Sequence, residues 1–200
     1  MENMILGIQN DNDLPGSTFS LLQATAKKVK KNAITYSWKR VPGASSYTVY
    51  GNKCGKGNKY LKLDTVTGTS CTCKGLQKGT YYKVIVVANG GGSARAVSKT
   101  VHAATAGGKA GNHKSVQITG KKSLTVKKGK TAKIKAKAIP KDRTQKVSNH
   151  KKLTFETSNP KIATVDKSGK VKGVGKGKCT IFVYAQNGVF AKVNVNVKIK

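Results

Sequence analysis

The chain has 200 residues, a formal net charge of +32 and 37% hydrophobic residues, with 39 lysines and arginines against seven acids. This length exceeds the roughly 100 residues of one β-sandwich, so two small domains are expected. Evenly spaced short apolar runs exclude a disordered polycation, and none approaches the roughly 18 residues of a membrane-spanning helix, so we expect no membrane insertion.

The positive charge is spread along the whole chain. Residues 17–105 hold 13 Lys, 2 Arg and one acid, a net charge of +14. Residues 114–200 hold 22 Lys, 1 Arg and three acids, a net charge of +20. The charge must therefore cover the surfaces of both predicted domains, which excludes a simple basic tail.

The first half of the chain alternates strands and turns. Residues 1–16, with an Asn-Asp-Asn-Asp run and a Pro-Gly pair, are predicted to form an irregular leader. Beyond them, Ile34, Tyr36 and Trp38 share one face of a strand that ends at a Pro-Gly-Ala turn, and Tyr47 lies in the next strand. This spacing predicts a hairpin of two core strands.

A second signal lies at the turn before the strand that contains Val84. Leu76 precedes Tyr82 by six residues, and a Tyr at the start of such a strand can bury its ring and return its hydroxyl to the preceding backbone. With Trp38 and Tyr47, this pattern resembles a fibronectin type III domain, and the resemblance covers residues 17–105.

The four cysteines are Cys54, Cys71, Cys73 and Cys179. Cys71 and Cys73 lie two apart and so fall on one face of a strand, where they would pack as small hydrophobic residues. We expect buried free thiols. A bridge from Cys54 to one of this pair and a metal site are the alternatives.

Residues 106–113, rich in Gly and Ala, are predicted to form a flexible linker to a second domain at 114–200. That domain shows strict alternation. One predicted strand turns four apolar residues inward and lysines outward, and the closing strand repeats the pattern. The inward residues are Ala132, Ile134, Ala136 and Ala138 in the first, and Val193, Val195, Val197 and Ile199 in the second.

The range 153–185 carries the most specific pattern. A strand with Phe155 ends at a Ser-Asn-Pro turn, an apolar piece ends at Val165, and Asp166 opens a turn that its own side chain can cap. A glycine-rich turn then leads into an alternating strand that contains Ile181.

This order of strands and turns resembles the bacterial Ig-like domain of group 2, and the resemblance covers residues 114–200. Phe155 stands where that family usually has Trp, which keeps an aromatic core. The two resemblances imply an all-β fold of two tandem Ig-like β-sandwiches joined by a Gly/Ala linker. They also imply an extracellular or cell-surface bacterial protein that serves in adhesion or as a spacer.

We expect no enzyme, no cofactor and no metal site. His102, His113 and His150 fit no metal-ligand spacing and are expected to be solvated or lightly packed. The acids are too few and too scattered for a carboxylate pair or a calcium site. The glycine-rich run at 173–178 precedes a strand, whereas a phosphate loop precedes a helix.

The lysines admit three interpretations. In the first, they form a solvated, aggregation-resistant surface. In the second, they hold anionic wall polymers, glycans or a host surface ligand through a diffuse positive field. In the third, they bind nucleic acid, and binding that depends on charge alone is nonspecific. We expect a monomer that adheres to anionic polymers, with a passive spacer as the alternative. The candidate contacts are Lys27, Lys28, Lys30, Lys31, Lys127, Lys128, Lys130, Lys133, Lys135 and Lys137.

The alternation also predicts which side chains build the two cores. These core residues are apolar or aromatic and sit at inward positions of predicted strands or at the corner turn. They are Trp38, Tyr47, Leu76, Tyr82, Ile134, Phe155, Val165, Ile181 and Val195.

Overall fold

The computed structural model describes residues 21–147, 150 and 152–199. Every regular element in this part of the chain is a β-strand, which confirms the predicted all-β fold class. The predicted leader, residues 1–16, lies outside the described residues. The described residues contain no helix that is long and apolar enough to cross a membrane.

The strands form two compact units. The first contains the described residues up to Asn112 together with those of the segment 142–150, and the second contains the remaining residues from His113 onward. The ranges predicted at 17–105, 106–113 and 114–200 did not place any residues of 142–150 in the first unit. This assignment to the first unit is a feature of the structure. It arises because Ala110 pairs with Lys146 as a parallel bridge and the Lys146 N–H donates to Lys109 O at 2.8 Å.

The first unit is a sandwich of eight strands. They are β1 (Thr25–Val29), β2 (Ile34–Ser37), β3 (Ser46–Lys53), β4 (Leu61–Val66), β5 (Ser70–Cys73), β6 (Tyr81–Gly90), β7 (Ser93–Val97) and β8 (Val101–Ala104). One sheet has the order β1-β2-β5, and the other has the order β4-β3-β6-β7, with β8 also paired to β6. These two facing sheets form an Ig-like β-sandwich, as the sequence predicted.

The core of the first unit is built by inward residues of both sheets. Ile34, Tyr36 and Tyr47 are fully buried, and Trp38 is 6% exposed with its ring 5.3 Å from that of Tyr47. The alternation of β2 places these side chains on one face, opposite the buried face of β3. The prediction of a hairpin is wrong, because β2 and β3 are both core strands but lie in different sheets and do not pair with each other.

The corner before β6 is closed by Tyr82. The Gln77 N–H donates to the Tyr82 hydroxyl at 2.9 Å, while Leu76 and the Tyr82 ring are half-buried against the core. The fold thereby satisfies a backbone donor in a turn that has no ladder partner.

The second unit has nine strands in three sheets. They are β9 (His113–Ile118), β10 (Ser123–Lys127), β11 (Thr131–Lys133), β12 (Ala136–Pro140), β13 (Thr154–Thr157), β14 (Ala163–Val165), β15 (Lys170–Gly173), β16 (Gly177–Tyr184) and β17 (Phe190–Lys198). The sheet orders are β10-β17-β16-β13, β11-β15-β14 and β12-β9. All three sheets contribute to one hydrophobic cluster, which contains Val116, Val171 and Val195.

The inward residues of this unit follow the predicted parity. Ile134, Ile181 and Val195 are buried, whereas Phe155 and Val165 are half-buried and pack against the same cluster. The opposite face of β16 is also covered, because Phe182 and Tyr184 pack with Phe190 as a second aromatic layer.

Two strand predictions are wrong in detail. The alternating run 131–138 is two strands, because β11 pairs with β15 and β12 pairs with β9 in a different sheet. Ile199 was expected to face inward but is 61% exposed, since β17 ends at Lys198.

Candidate functional site

All ten lysines proposed from the sequence as polymer contacts have exposed side chains. Consecutive Lys27 and Lys28 are both exposed because the β1–β2 register shifts between Ala26 and Lys28. β1 is the edge of its sheet, so these cations line an open strand edge.

In the second unit, lysines lie directly opposite one another on neighbouring strands. Lys133 of β11 faces Lys170 of β15, and Lys127 of β10 faces Lys198 of β17; all four are exposed. Like charges placed opposite each other in a sheet destabilise it. Lys127 and Lys198 therefore carry repulsion that a neutral polar residue would avoid, whereas the Lys133 ammonium also donates to the carbonyl and the hydroxyl of Ser168.

The carboxylate of Asp166 is occupied by its own turn. The Ser168 hydroxyl donates to Asp166 Oδ1 at 2.7 Å, and the N–H groups of Ser168 and Lys170 donate to the same oxygen at 2.8 and 2.9 Å. These hydrogen bonds, that of the Ser168 side chain above all, lower the pKa of Asp166 to about 2.

Two other acids of the basic chain are also engaged locally. Asp142 accepts hydrogen bonds from the hydroxyl and the N–H of Thr144, which lower the pKa of Asp142. Glu156 is buried and accepts the Tyr184 hydroxyl at 2.8 Å. Asp142 and Glu156 are thus engaged by neighbouring side chains, whereas Asp166 also attracts the charge of Lys133, which helps to lower the pKa of Asp166.

A cleft of about 300 Å³ opens in the first unit between β4 and β5, strands of different sheets. Leu61 and Leu63, 55% and 44% exposed, form one apolar wall. The Cys71 thiol lies 3.8 Å from Asp64 Oδ2, and a hydrogen bond with Cys73 lowers the pKa of Cys71 and raises that of Cys73.

The four cysteines are free thiols, and a bridge from Cys54 is absent. Cys71 and Cys179 are buried, and Cys54 and Cys73 are half-buried. Burial is the main cause that raises the pKa of Cys179.

The expectation that the histidines are solvated or lightly packed is wrong for two of them. His102 is 6% and His113 is 8% exposed. His113 Nδ1 is hydrogen-bonded to Gln186 Oε1, and the Asn187 side chain donates to the His113 carbonyl at 2.9 Å. His102 lies on β8 directly opposite Lys83 of β6, which is itself completely buried.

The structure also assembles a group that sequence spacing did not predict. Ligand atoms of Cys54, His102 and His150 all lie within 4.8 Å of one another. The His102 and His150 rings are stacked with centroids 4.1 Å apart, and the Tyr81 ring meets the His150 ring edge-on at 5.2 Å. No short motif joins these residues, because each comes from a different region of the first unit.

Lys83 is the second feature that the sequence did not reveal. Its Nζ lies 4.8 Å from the centroid of the Tyr60 ring, a cation–π distance. The only signal in the sequence is its place at the start of the apolar run 84–88.

Residues 113–196 match the family model described as a bacterial Ig-like domain, group 2. Two curated relatives are each 41% identical to part of this chain. Lacto-N-biosidase of Bifidobacterium bifidum is matched over 75 residues, 38% of this chain and 6% of the relative. The protein YjdB of Bacillus subtilis is matched over 54 residues, 27% of this chain and 47% of the relative. The chain thus spans less than half the length of these relatives.

Among solved structures, the chain is similar to fibronectin type III domains. One is from the human KIAA0970 protein, with 18% identity, a TM-score of 0.38, and coverage of 44% of this chain and 75% of that one. Another is the FN5 domain of Drosophila Lar, with 25% identity, a TM-score of 0.35, and coverage of 44% and 95%.

Proposed function

We propose that this chain is a non-catalytic module of a bacterial surface or secreted protein. The proposal starts from its two parts, a fibronectin type III-like sandwich and a bacterial Ig-like domain of group 2. The task of the module is adhesion to anionic wall polymers or glycans. The contact is the exposed lysine surface of both units, acting as a diffuse positive field.

The observation that carries this proposal is the pairing of lysines across strands. Lys127 opposite Lys198 and Lys133 opposite Lys170 place like charges side by side, which destabilises the sheet. A surface kept only for solubility gains nothing from such pairs, since spaced lysines serve equally well. A polyanion, in contrast, relieves the repulsion when it binds.

The field is broad, and this fits a polymer better than a small ligand. The ten candidate lysines lie on strands and turns of both units, and none lines the cleft between β4 and β5. Attraction of this kind raises the local concentration of a charged chain and weakens as salt screens it. It requires neither a fixed ligand geometry nor a closed pocket.

The test measures retention of the full chain on immobilised teichoic acid and heparin across a salt series, with a neutral polysaccharide as the control matrix. Retention should fall steeply up to about 0.5 M salt, where the Debye length is only a few ångströms. Retention that is unchanged over this range would remove the electrostatic mechanism.

A double variant separates adhesion from surface protection. Lys127→Gln with Lys198→Gln should elute at lower salt and melt at a slightly higher temperature, because the same change removes two exposed lysines and relieves the repulsion between them. Lys27→Gln with Lys28→Gln, two exposed lysines with no lysine opposite them, is the matched control and should lower retention without the gain in stability. Unchanged retention in both variants would contradict the proposal.

The alternative function is a passive spacer within a larger surface protein or an extracellular polysaccharide-degrading enzyme. It is favoured by the match to a small part of a long bifidobacterial enzyme. A spacer is retained no better on teichoic acid than on a plain cation exchanger of equal charge density. Saturable binding to one polymer above that level would exclude it.

A further inference from the structure

We propose that Cys54, His102 and His150 bind one zinc ion, or a chemically similar ion such as Co²⁺. A thiolate and two imidazoles form a donor set that Zn²⁺ prefers, and three protein ligands leave a fourth position open. This site is independent of the lysine surface.

The distances are within reach of a tetrahedral centre. With bonds of about 2.3 Å to sulfur and about 2.0–2.1 Å to nitrogen, ligand atoms of a tetrahedral zinc site lie roughly 3.4–3.6 Å apart. In the structure all three ligand atoms already lie within 4.8 Å of one another. The ligand atoms therefore need to move by about 1 Å to reach tetrahedral distances, and side-chain rotations provide such movements.

Two of the ligands are fixed by the sheet. His102 is buried on β8, where it pairs with Lys83 of β6. Cys54 follows β3 directly, and its N–H donates to the Tyr81 carbonyl at 2.9 Å. Such backbone anchoring limits the entropy that the ion must overcome when it organises its ligands.

Tyr81 supports the third ligand. Its ring packs edge-on against His150, and its hydroxyl donates to the Gly111 carbonyl at 2.5 Å. This hydrogen bond fixes the position of the Tyr81 ring beside His150. An oriented aromatic ring beside a histidine limits the directions in which the imidazole can turn.

Binding requires one defined movement. A nitrogen lone pair lies in the plane of its ring, and the His102 and His150 rings are within 13° of parallel. One ring must turn so that both lone pairs meet at the ion, and His150 is the less buried of the two. The Cys54 thiol loses its proton to solvent when it binds the ion.

The experiment titrates the full, reduced chain with Co²⁺ and then displaces it with Zn²⁺. We expect one equivalent of Co²⁺ to give tetrahedral d–d bands together with a thiolate-to-cobalt charge-transfer band, and one equivalent of Zn²⁺ to abolish both. The charge-transfer band should be missing in Cys54→Ser. His150→Ala should weaken Zn²⁺ binding at least about 100-fold, the upper limit for loss of a mere outer-shell partner.

The matched control is Cys71→Ser with Cys73→Ser, which removes the two thiols of the cleft and should leave the spectrum unchanged. A charge-transfer band that persists in Cys54→Ser, or that disappears in the control, would overturn the proposal, as would the absence of the band in the unaltered chain. Cys54 and His150 are half-buried, so circular dichroism should show that both variants still fold.

Discussion

Two tyrosines of the first core predict opposite responses to the same small change. Tyr36 and Tyr47 are both completely buried and belong to one hydrophobic cluster. The Tyr47 hydroxyl accepts the Val41 N–H at 2.8 Å, whereas the Tyr36 hydroxyl has no hydrogen-bond partner among the described residues. Replacement by Phe removes one oxygen in each case and leaves the ring in place.

The change in the free energy of unfolding depends on whether the substitution leaves a hydrogen-bond partner of the hydroxyl unsatisfied. Tyr47→Phe strands the buried N–H of Val41, and an unsatisfied buried donor costs about 1–3 kcal/mol. Tyr36→Phe removes a hydroxyl that was already buried without compensation, so its free energy of unfolding should stay unchanged or rise by about 1 kcal/mol. Burial likewise raises the pKa of Tyr36 well above its usual value.

Urea unfolding followed by tryptophan fluorescence measures both effects. Trp38, the single tryptophan of the chain, is buried in the same core and reports on the first unit. The two variants should differ by at least about 1 kcal/mol, or roughly 4–8 °C in melting temperature for a domain of this size. The dependence on urea should be equal in both, since neither variant changes the area exposed on unfolding.

The reasoning is refuted if Tyr36→Phe loses as much stability as Tyr47→Phe. That result would mean that the hydroxyl of Tyr36 is as well hydrogen-bonded as that of Tyr47.

Two further predictions concern the second unit. Gly169 and Gly129 both have φ of +78°, yet a Cβ at Gly169 would lie 2.7 Å from Phe155 Cζ and one at Gly129 would meet nothing within 4 Å. Gly129→Ala should therefore lower the free energy of unfolding by about 1–2 kcal/mol through backbone strain, and Gly169→Ala should lower it by about 1–3 kcal/mol more. Thermal unfolding measures both losses. Equal losses in the two variants would show that the Phe155 ring moves freely aside. The lowered pKa of Asp166 means that its contribution to stability is complete above the unfolded value of 3.8 and is lost as pH falls towards about 2. Asp166→Asn should flatten the melting temperature between pH 4 and pH 2 as compared with the unaltered chain, and an unchanged pH profile would count against the turn described above.

The sequence predicted the layered β architecture because side-chain direction alternates strictly along a strand. Ile134 and Val195 are buried and Lys133 is exposed, as parity requires. The same argument could not reveal that the run 131–138 changes sheets, since the chain keeps its parity when it crosses from β11 to β12. Hydrogen bonds with other strands, which are not local, decide where a strand is divided.

The sequence did not predict the group of three metal-ligand residues or the buried lysine of the first unit. Cys54, His102 and His150 come together because His150, distant in the sequence, belongs to the first unit. The burial of Lys83 likewise depends on the Tyr60 ring that covers it. Short spacings between ligands can be recognised in a sequence, whereas convergence from distant segments depends on the tertiary fold.

The pairing of β10 with β17 has a mechanical consequence. These strands run parallel, with Ser123 opposite Asn194 and Lys127 opposite Lys198, whereas β9 pairs with β12 in another sheet. When the unit is stretched between its ends, β9 can peel away first, and the β10–β17 bonds are then pulled in shear and must rupture together. Single-molecule pulling should show one force peak for this unit, which Val126→Pro abolishes.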